Sequence, residues 1–146
     1  MSNYIDPFTD FGFKRIFGQE DHKRLLIGFL NALFEGEFVI KDLAYRDKEQ
    51  IGEVRQDRSV IYDIYCTLDD GKRFIVEMQN RKHVNFDDRA LYYISGSVYG
   101  QGKKGKDWNY VYFPVFGVYF MRFKEKVLGD AYRTDFRIAK TLEMVV

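Results

Sequence analysis

The chain has 146 residues, of which 46% are hydrophobic and 18% aromatic, so it is long enough for one domain with its own core and is not disordered. Its formal net charge is +1, so a nucleic-acid partner would need a local basic patch. The single cysteine, Cys66, excludes an internal disulfide and a cysteine-rich zinc site. The N-terminus lacks the apolar segment of a signal peptide, and no apolar stretch reaches the roughly 18 residues that span a membrane, so we expect a cytoplasmic protein.

Two helices are predicted at the start of the chain. Thr9 or Asp10 suits the N-cap of a short helix that reaches about residue 17 and ends at Gly18. A second helix is predicted over residues 20–34, with Gly36 as its stop. Its apolar face is formed by residues at helical spacing, namely Leu25, Leu26, Phe29, Leu30 and Leu33.

The remaining elements predict a mixed sheet. They are, in order, a strand over 38–45, a charged loop or frayed strand end over 46–57, a hairpin over 60–68 and 72–79, a helix over 85–102, a strand over 111–123 and a final strand within 132–146. The strand over 111–123 lacks polar alternation, so we expect a central strand covered on both faces. The order α-β-β-β-α-β, with an extra N-terminal helix, predicts an α/β fold in which helices flank a mixed sheet.

Each strand of the predicted hairpin carries a carboxylate in its middle. Asp63 lies in the first strand and Glu77 in the second, with Gln79 two residues further on and pointing the same way. A charge inside a strand is costly to bury unless it has a partner or a metal. Two carboxylates that meet across a hairpin form a natural site for Mg²⁺. The alternative is a strand pair at the rim of a sheet, with both carboxylates paired to arginine or lysine.

The loop of the hairpin decides whether the two carboxylates meet. Residues 69–71 fit a three-residue loop in which Gly71 takes the left-handed third position. That loop pairs Asp63 with Glu77 on one face, with Cβ atoms roughly 5 Å apart. A two-residue loop would shift the register by one and place the carboxylates on opposite faces.

The two histidines and the cysteine do not indicate a further functional site. His22 and His83 are too isolated to indicate zinc, and Cys66 alternates away from Asp63, which is typical of a small core residue. The sequence contains no Ser-His-Asp arrangement, phosphate loop or dinucleotide-binding glycine motif.

Six segments in a fixed order carry a family resemblance. They are 10–18 (DFGFKRIFG), 26–32 (LIGFLNA), 57–64 (DRSVIYDI), 76–79 (VEMQ), 89–93 (RALYY) and 114–119 (PVFGVY). Together they resemble the PD-(D/E)XK nuclease superfamily, and more closely its branch of PD-(D/E)XK nuclease family transposases, or recombination-promoting nucleases. The resemblance implies a restriction-endonuclease-like core and cleavage of DNA phosphodiester bonds that depends on Mg²⁺ or Mn²⁺, with a link to recombination or mobile elements.

The resemblance also implies roles for individual residues. It assigns Asp63 and Glu77 to the metal and, with Gln79, to catalysis. Gln79 stands where the superfamily has a lysine, and an amide can hydrogen-bond but brings no positive charge. Lys14 or Arg89 is an alternative source of that charge.

Several alternatives stay open at this stage. Asp10 could approach the site, although a helix cap is its simpler role. Relatives of this branch generally continue beyond Val146, so we expect a single nuclease-like domain over 1–146 that is truncated at its C-terminus. The rival functions are a catalytically weak DNA-binding or interaction module that retains the fold, and a folded remnant. DNA is the expected partner and a membrane is not; the oligomeric state is open, with a homodimer as one option.

Overall fold

The computed structural model describes residues 4–46, 49–50, 60–103, 108–123, 133 and 135. Within these residues the protein has an α/β fold with a mixed sheet between helices, as predicted. The helices are α1 (Asp10–Phe17), α2 (Lys23–Leu33) and α3 (Phe86–Tyr99). The strands are β1 (Leu43–Tyr45), β2 (Glu49–Gln50), β3 (Val60–Ile61), β4 (Ile64–Leu68), β5 (Arg73–Gln79) and β6 (Val115–Met121).

The predicted α1 is confirmed at both ends. Gly12 donates its backbone N–H to Thr9 Oγ1 at 3.0 Å, so Thr9 is the N-cap, and the chain leaves the helix at Gly18. The second helix is α-helical only from Lys23, because residues 20–22 form a 3₁₀ turn. Leu25 was wrongly predicted on the apolar face: it is 53% exposed, since the buried stripe is narrow and centred on Leu26 and Leu30.

The first strand is shorter than predicted. The side chain of Asn31 on α2 donates its Nδ2–H to Ile40 O at 2.9 Å and accepts Ile40 N–H on Oδ1 at 2.7 Å. Backbone groups that bond to a side chain are not available to a neighbouring strand. The ladder of β1 with β4 therefore begins only at Leu43.

The register of the hairpin is the one that Gly71 predicts. Gly71 has φ of +87°, and its N–H donates to Leu68 O at 3.0 Å. Ile64 pairs with Val76 and Cys66 with Phe74, so continuing the register by one residue sets Asp63 opposite Glu77. The three-residue loop is confirmed, and the two-residue alternative is excluded.

The first strand of the hairpin is interrupted, which the sequence pattern did not predict. The short strand β3 pairs with β2 in a separate two-stranded sheet, and β4 starts only at Ile64. At the interruption, Met78 N–H donates to Asp63 Oδ2 at 3.0 Å instead of to the backbone carbonyl that a continuous ladder would offer. The pairing of β2 shows that residues 49–50 form a short strand, which agrees with the strand-end alternative and not with the loop; residues 51–59 lie outside the described part of the chain.

The larger sheet has the order β1-β4-β5-β6, with three antiparallel strands and β6 parallel to β5. The strand predicted over 111–123 begins at Val115, so its first residues are not part of the sheet. Within the described residues β6 pairs with β5 alone, so it lies at the edge of this sheet and not at its centre. The final strand predicted within 132–146 lies outside the described residues.

Helices cover both faces of the sheet, as predicted. Ile64, Cys66, Phe74 and Val76 pack with α1 and α2 on one face. On the other face, the packed residues are Tyr62, Tyr65, Ile75, Tyr93, Ile94 and Val115, which brings α3 against the sheet. Burial raises the pKa of the Cys66 thiol to about 12, so this core cysteine is unreactive at neutral pH. None of the described helices is both long and apolar enough to cross a membrane.

Substituting alanine at Gly71 is expected to lower the free energy of unfolding by about 2–3 kcal/mol. Alanine is strained at positive φ, and here its Cβ would also collide with the Phe113 ring. Gly36 provides the matched control, because its φ is +82° and no atom lies near the added Cβ. We expect Gly36→Ala to cost only about 1 kcal/mol. Urea denaturation of both variants measures the difference, and equal losses would contradict a role for the Phe113 contact.

Candidate functional site

A polar cleft of about 360 Å³ opens at the end of β5. It is lined by residues of α1, the hairpin, the segment after β5 and α3, namely Asp10, Asp63, Glu77, Met78, Gln79, Asn80, Arg81, Lys82, His83 and Arg89. Asp63, Glu77 and Gln79, which the sequence predicts as site residues, therefore share one cleft with Asp10 and Arg89. The geometric condition for the predicted site, with both carboxylates on the same side of the hairpin, is met.

Asp63 is fixed by the backbone of the opposite strand. Its Oδ2 accepts the N–H of Met78 at 3.0 Å, and its side chain is 17% exposed. The residue lies in the interruption between β3 and β4, so its own backbone N–H is not used in the ladder. That N–H donates to Glu77 Oε1 at 2.9 Å.

Glu77 is the more deeply buried of the two carboxylates. It is 2% exposed, and its neighbours on the adjacent strands are mostly apolar. Desolvation by burial raises its pKa to about 7, with a further upward contribution from the Asp63 charge. The hydrogen bond from the Asp63 backbone and the charges of Arg89 and Lys14 lower the pKa but do not cancel the effect of burial.

The two carboxylates thus hold each other in place through the backbone. One oxygen of each, Asp63 Oδ2 and Glu77 Oε1, is bonded to a backbone N–H of the opposite strand. The other oxygen of each, Asp63 Oδ1 and Glu77 Oε2, has a basic side chain as its neighbour. Charge-assisted hydrogen bonds of this kind fix a side-chain rotamer without using all of its acceptor capacity.

Lys14 contacts the second oxygen of Asp63. Its Nζ lies 3.1 Å from Asp63 Oδ1 and 2.8 Å from Asp10 Oδ1, which is one helical turn earlier on α1. Asp10 therefore reaches the site as the sequence allowed, and it is not the N-cap, since Thr9 has that role.

Arg89 lies beside Glu77 but is less closely engaged. Its Nη2 is 3.9 Å from Glu77 Oε2 and donates to the hydroxyl of Tyr93 at 3.2 Å. The guanidinium carbon lies 5.0 Å from the centre of the Tyr93 ring. The alternative in which basic side chains pair with both carboxylates therefore holds only in part. Asp63 has a close ion pair, whereas the contact of Glu77 with Arg89 is long.

Besides Met78, four residues of the cleft were not identified from the sequence as site residues. They follow β5 directly: Asn80, Arg81, Lys82 and His83. Their position could have indicated them, because residues that follow a strand by one or two places lie beside the last side chains of that strand. Gln79 itself is 8% exposed and lies in the cleft, where its amide can accept or donate a hydrogen bond.

The residues present fit a divalent cation held by few protein ligands. No group of three or more histidine, cysteine or acidic side chains converges to hold a metal within the part of the chain that the structure describes. Mg²⁺ commonly uses only one or two carboxylates and keeps several waters, so two oriented carboxylates in an open polar cleft satisfy its requirements. The ammonium of Lys14 at Asp63 Oδ1 shows that this end of the pair already accommodates a positive charge.

Comparison with known proteins agrees with the geometry. The family model described as PD-(D/E)XK nuclease family transposase matches residues 7–144, a range that includes every described helix and strand and the cleft. No individual curated protein and no solved structure matches the chain. The mixed sheet flanked by helices is consistent with a restriction-endonuclease-like core. The chain belongs to the PD-(D/E)XK nuclease family transposases.

Proposed function

We propose that the protein is an endodeoxyribonuclease that hydrolyses DNA phosphodiester bonds with Mg²⁺ or Mn²⁺ and acts in recombination or on mobile elements. The observation that carries the proposal is the pair of carboxylates, Asp63 and Glu77, which line one polar cleft and each have one oxygen bonded to a backbone N–H. Preorganised groups of this kind need no rearrangement when charge develops in a reaction.

In this proposal Asp63 Oδ1 and Glu77 Oε2 hold the metal. A divalent cation bound there would offset the negative charge that builds up on the attacked phosphate. Gln79 orients the attacking water by a hydrogen bond, since a neutral amide can both donate and accept. Because Gln79 carries no charge, it cannot stabilise the phosphate in the way that a lysine would.

Basic residues at the cleft supply a contact surface for the DNA backbone. Arg81, Lys82 and Arg89 line it, although the net charge of the whole chain is only +1. The same lining has three acidic side chains, Asp10, Asp63 and Glu77, so the basic residues offset their charge and offer phosphates local contacts rather than a net positive field. We therefore place the scissile strand across the open side of the cleft, above the two carboxylates.

A second candidate is a DNA-binding or interaction module with weak or no catalysis. The observation that favours it is the tight ion pair of Lys14 with Asp63, which already neutralises one carboxylate. In that case the basic surface of the cleft would bind DNA, and the carboxylates would serve only to hold the hairpin together.

The test is cleavage of supercoiled plasmid by the purified chain. We expect nicked or linear product with Mg²⁺ or Mn²⁺, none in EDTA, and none above background for Asp63→Asn. The asparagine keeps a carbonyl oxygen for Met78 N–H but lacks the charge that holds a metal. Asp42→Asn is the matched control, because Asp42 is also paired with a lysine, Lys23, at 3.0 Å but lies outside the cleft.

The outcomes of the plasmid assay distinguish the nuclease from the binding module. Equal cleavage by wild type, Asp63→Asn and Asp42→Asn would reveal a contaminating nuclease and contradict the proposal. DNA retention in a gel without cleavage under any metal condition would favour the binding module.

A further inference from the structure

We infer that Lys14 is a built-in counter-ion that a divalent metal must displace from Asp63, so that this lysine sets the metal affinity of the site. The inference rests on the proposed function, because it concerns the same two carboxylates. It adds a role for a residue outside the hairpin, on α1.

The contacts place the ammonium where a metal would bind. Asp63 Oδ2 is bonded to Met78 N–H, so Oδ1 is the oxygen of this carboxylate that remains for a cation. Lys14 Nζ lies 3.1 Å from Oδ1. Two cations so close to one oxygen repel each other, so a bound metal and this ammonium compete.

Lys14 is not needed to orient Asp63. The Met78 N–H already fixes the carboxylate, and the Asp63 backbone is fixed in turn by Glu77 Oε1. The contribution that remains for Lys14 is its charge, and removing that charge should leave the geometry of the carboxylates intact.

Asp10 gives the ammonium an alternative partner. Its Oδ1 is 2.8 Å from Lys14 Nζ, and it is on the same helix one turn away. When a metal takes Asp63 Oδ1, Lys14 can keep its bond to Asp10, so displacement does not leave the ammonium without a carboxylate. This competition makes metal binding weaker than it would be at two carboxylates without a neighbouring ammonium. The ammonium can return to Asp63 when the metal leaves.

Arg89 does not fill the same role at Glu77. Its Nη2 lies 3.9 Å from Oε2, beyond hydrogen-bond distance, and the guanidinium is held by the hydroxyl and ring of Tyr93. The asymmetry predicts that the metal affinity depends on Lys14 more than on Arg89.

The test measures metal binding without DNA. Free Mn²⁺ is followed by electron paramagnetic resonance during titration of wild type, Lys14→Met and Lys14→Arg. We expect Lys14→Met to bind Mn²⁺ about 3- to 10-fold more tightly, the scale of removing one partly solvated charge. Lys14→Arg keeps the charge and should stay within about 2-fold of wild type.

Lys23→Met is the matched control. Lys23 also bridges two carboxylates, Glu20 at 3.3 Å and Asp42 at 3.0 Å, but neither of them is a carboxylate of the proposed metal site. We expect this variant to bind Mn²⁺ with wild-type affinity. Thermal melting of all variants verifies that each is folded under the conditions of the titration.

The outcomes separate this inference from the proposed function. Unchanged or weaker Mn²⁺ binding by Lys14→Met would overturn the inference, even if the wild type cleaves DNA. Equally tight binding by Lys23→Met would also overturn it, because the effect would then be one of general charge. If the wild type binds Mn²⁺ but cleaves no DNA, the nuclease proposal fails while the comparison of affinities still decides the role of Lys14. Absence of Mn²⁺ binding by the wild type would overturn both.

Discussion

Replacing Glu77 with glutamine is expected to lower DNA cleavage by about 10³-fold or more and, at the same time, to stabilise the metal-free protein above pH 7 by about 2 kcal/mol. The proposed cleavage falls because a neutral amide binds a divalent cation much more weakly than a carboxylate does. Stability rises because the amide is neutral at every pH, while it keeps a carbonyl oxygen for the Asp63 N–H.

The direction of this change in stability follows from the pKa of Glu77. Burial raises it to about 7 in the folded protein, from an ordinary value of 4.5. The folded state therefore retains a proton that the unfolded state has released, and stability falls as the pH rises from about 4.5 to about 7. Above pH 7 the ionisation of buried Glu77 lowers the free energy of unfolding by its full amount, on the order of 3 kcal/mol. Loss of the long contact to Arg89 reduces the expected gain to about 2 kcal/mol.

Urea denaturation in EDTA at about pH 8 and about pH 4 measures this effect. The stabilisation should be present at the higher pH and vanish at the lower, where wild-type Glu77 is protonated. Glu37→Gln is the control, because Glu37 is largely exposed and paired with Arg133 on the surface. A Glu77→Gln variant that is less stable than wild type at the higher pH would contradict the prediction.

Truncating Phe74 to alanine is expected to destabilise the protein by about 3–5 kcal/mol, a large part of the total stability of a domain of this size. Phe74 is the second residue of β5 and is fully buried. Its ring stacks on Phe116 at 4.8 Å and meets Phe34 edge-on at 5.5 Å. Alanine would leave a cavity that these two rings cannot fill without moving the end of α2 and the strand β6 that carry them.

The midpoint of urea unfolding measures this loss. Phe11→Ala is the control, since Phe11 is 72% exposed and its removal should change stability by less than about 0.5 kcal/mol. A loss below about 1.5 kcal/mol at Phe74 would show that the aromatic cluster repacks freely.

The sequence predicts the hairpin well because the information is local. Gly71 needs a left-handed conformation, and that single requirement sets the register and brings Asp63 opposite Glu77. The same holds for α1, whose Thr9 cap lies directly ahead of it. Features of this kind are determined by residues within a few positions of one another, so the sequence alone predicts them.

Features that depend on distant residues were not predictable in this way. The side chain of Asn31 bonds to the backbone of Ile40, so the first strand begins later than predicted, and neither residue indicates this contact in the sequence. The interruption before β4 likewise depends on the bond from Met78 N–H to Asp63. The same limit applies to the site. The sequence offers Lys14 and Arg89 as equal sources of charge, and only the packing of α1 shows that Lys14 makes the closer contact.

The hydrogen bonds between Asp63 and β5, the strand of Glu77, form only when the hairpin has its native register. Two of these bonds cross the hairpin in opposite directions, and both fail together if the strands slip by one residue. A slipped hairpin would also place the carboxylates on opposite faces, where they could not share a cation. An incompletely or wrongly folded chain would therefore lack the means to cut DNA, and the proposed activity would emerge only with native pairing. For the proposed nuclease, that coupling would keep newly made or misfolded copies from cutting DNA.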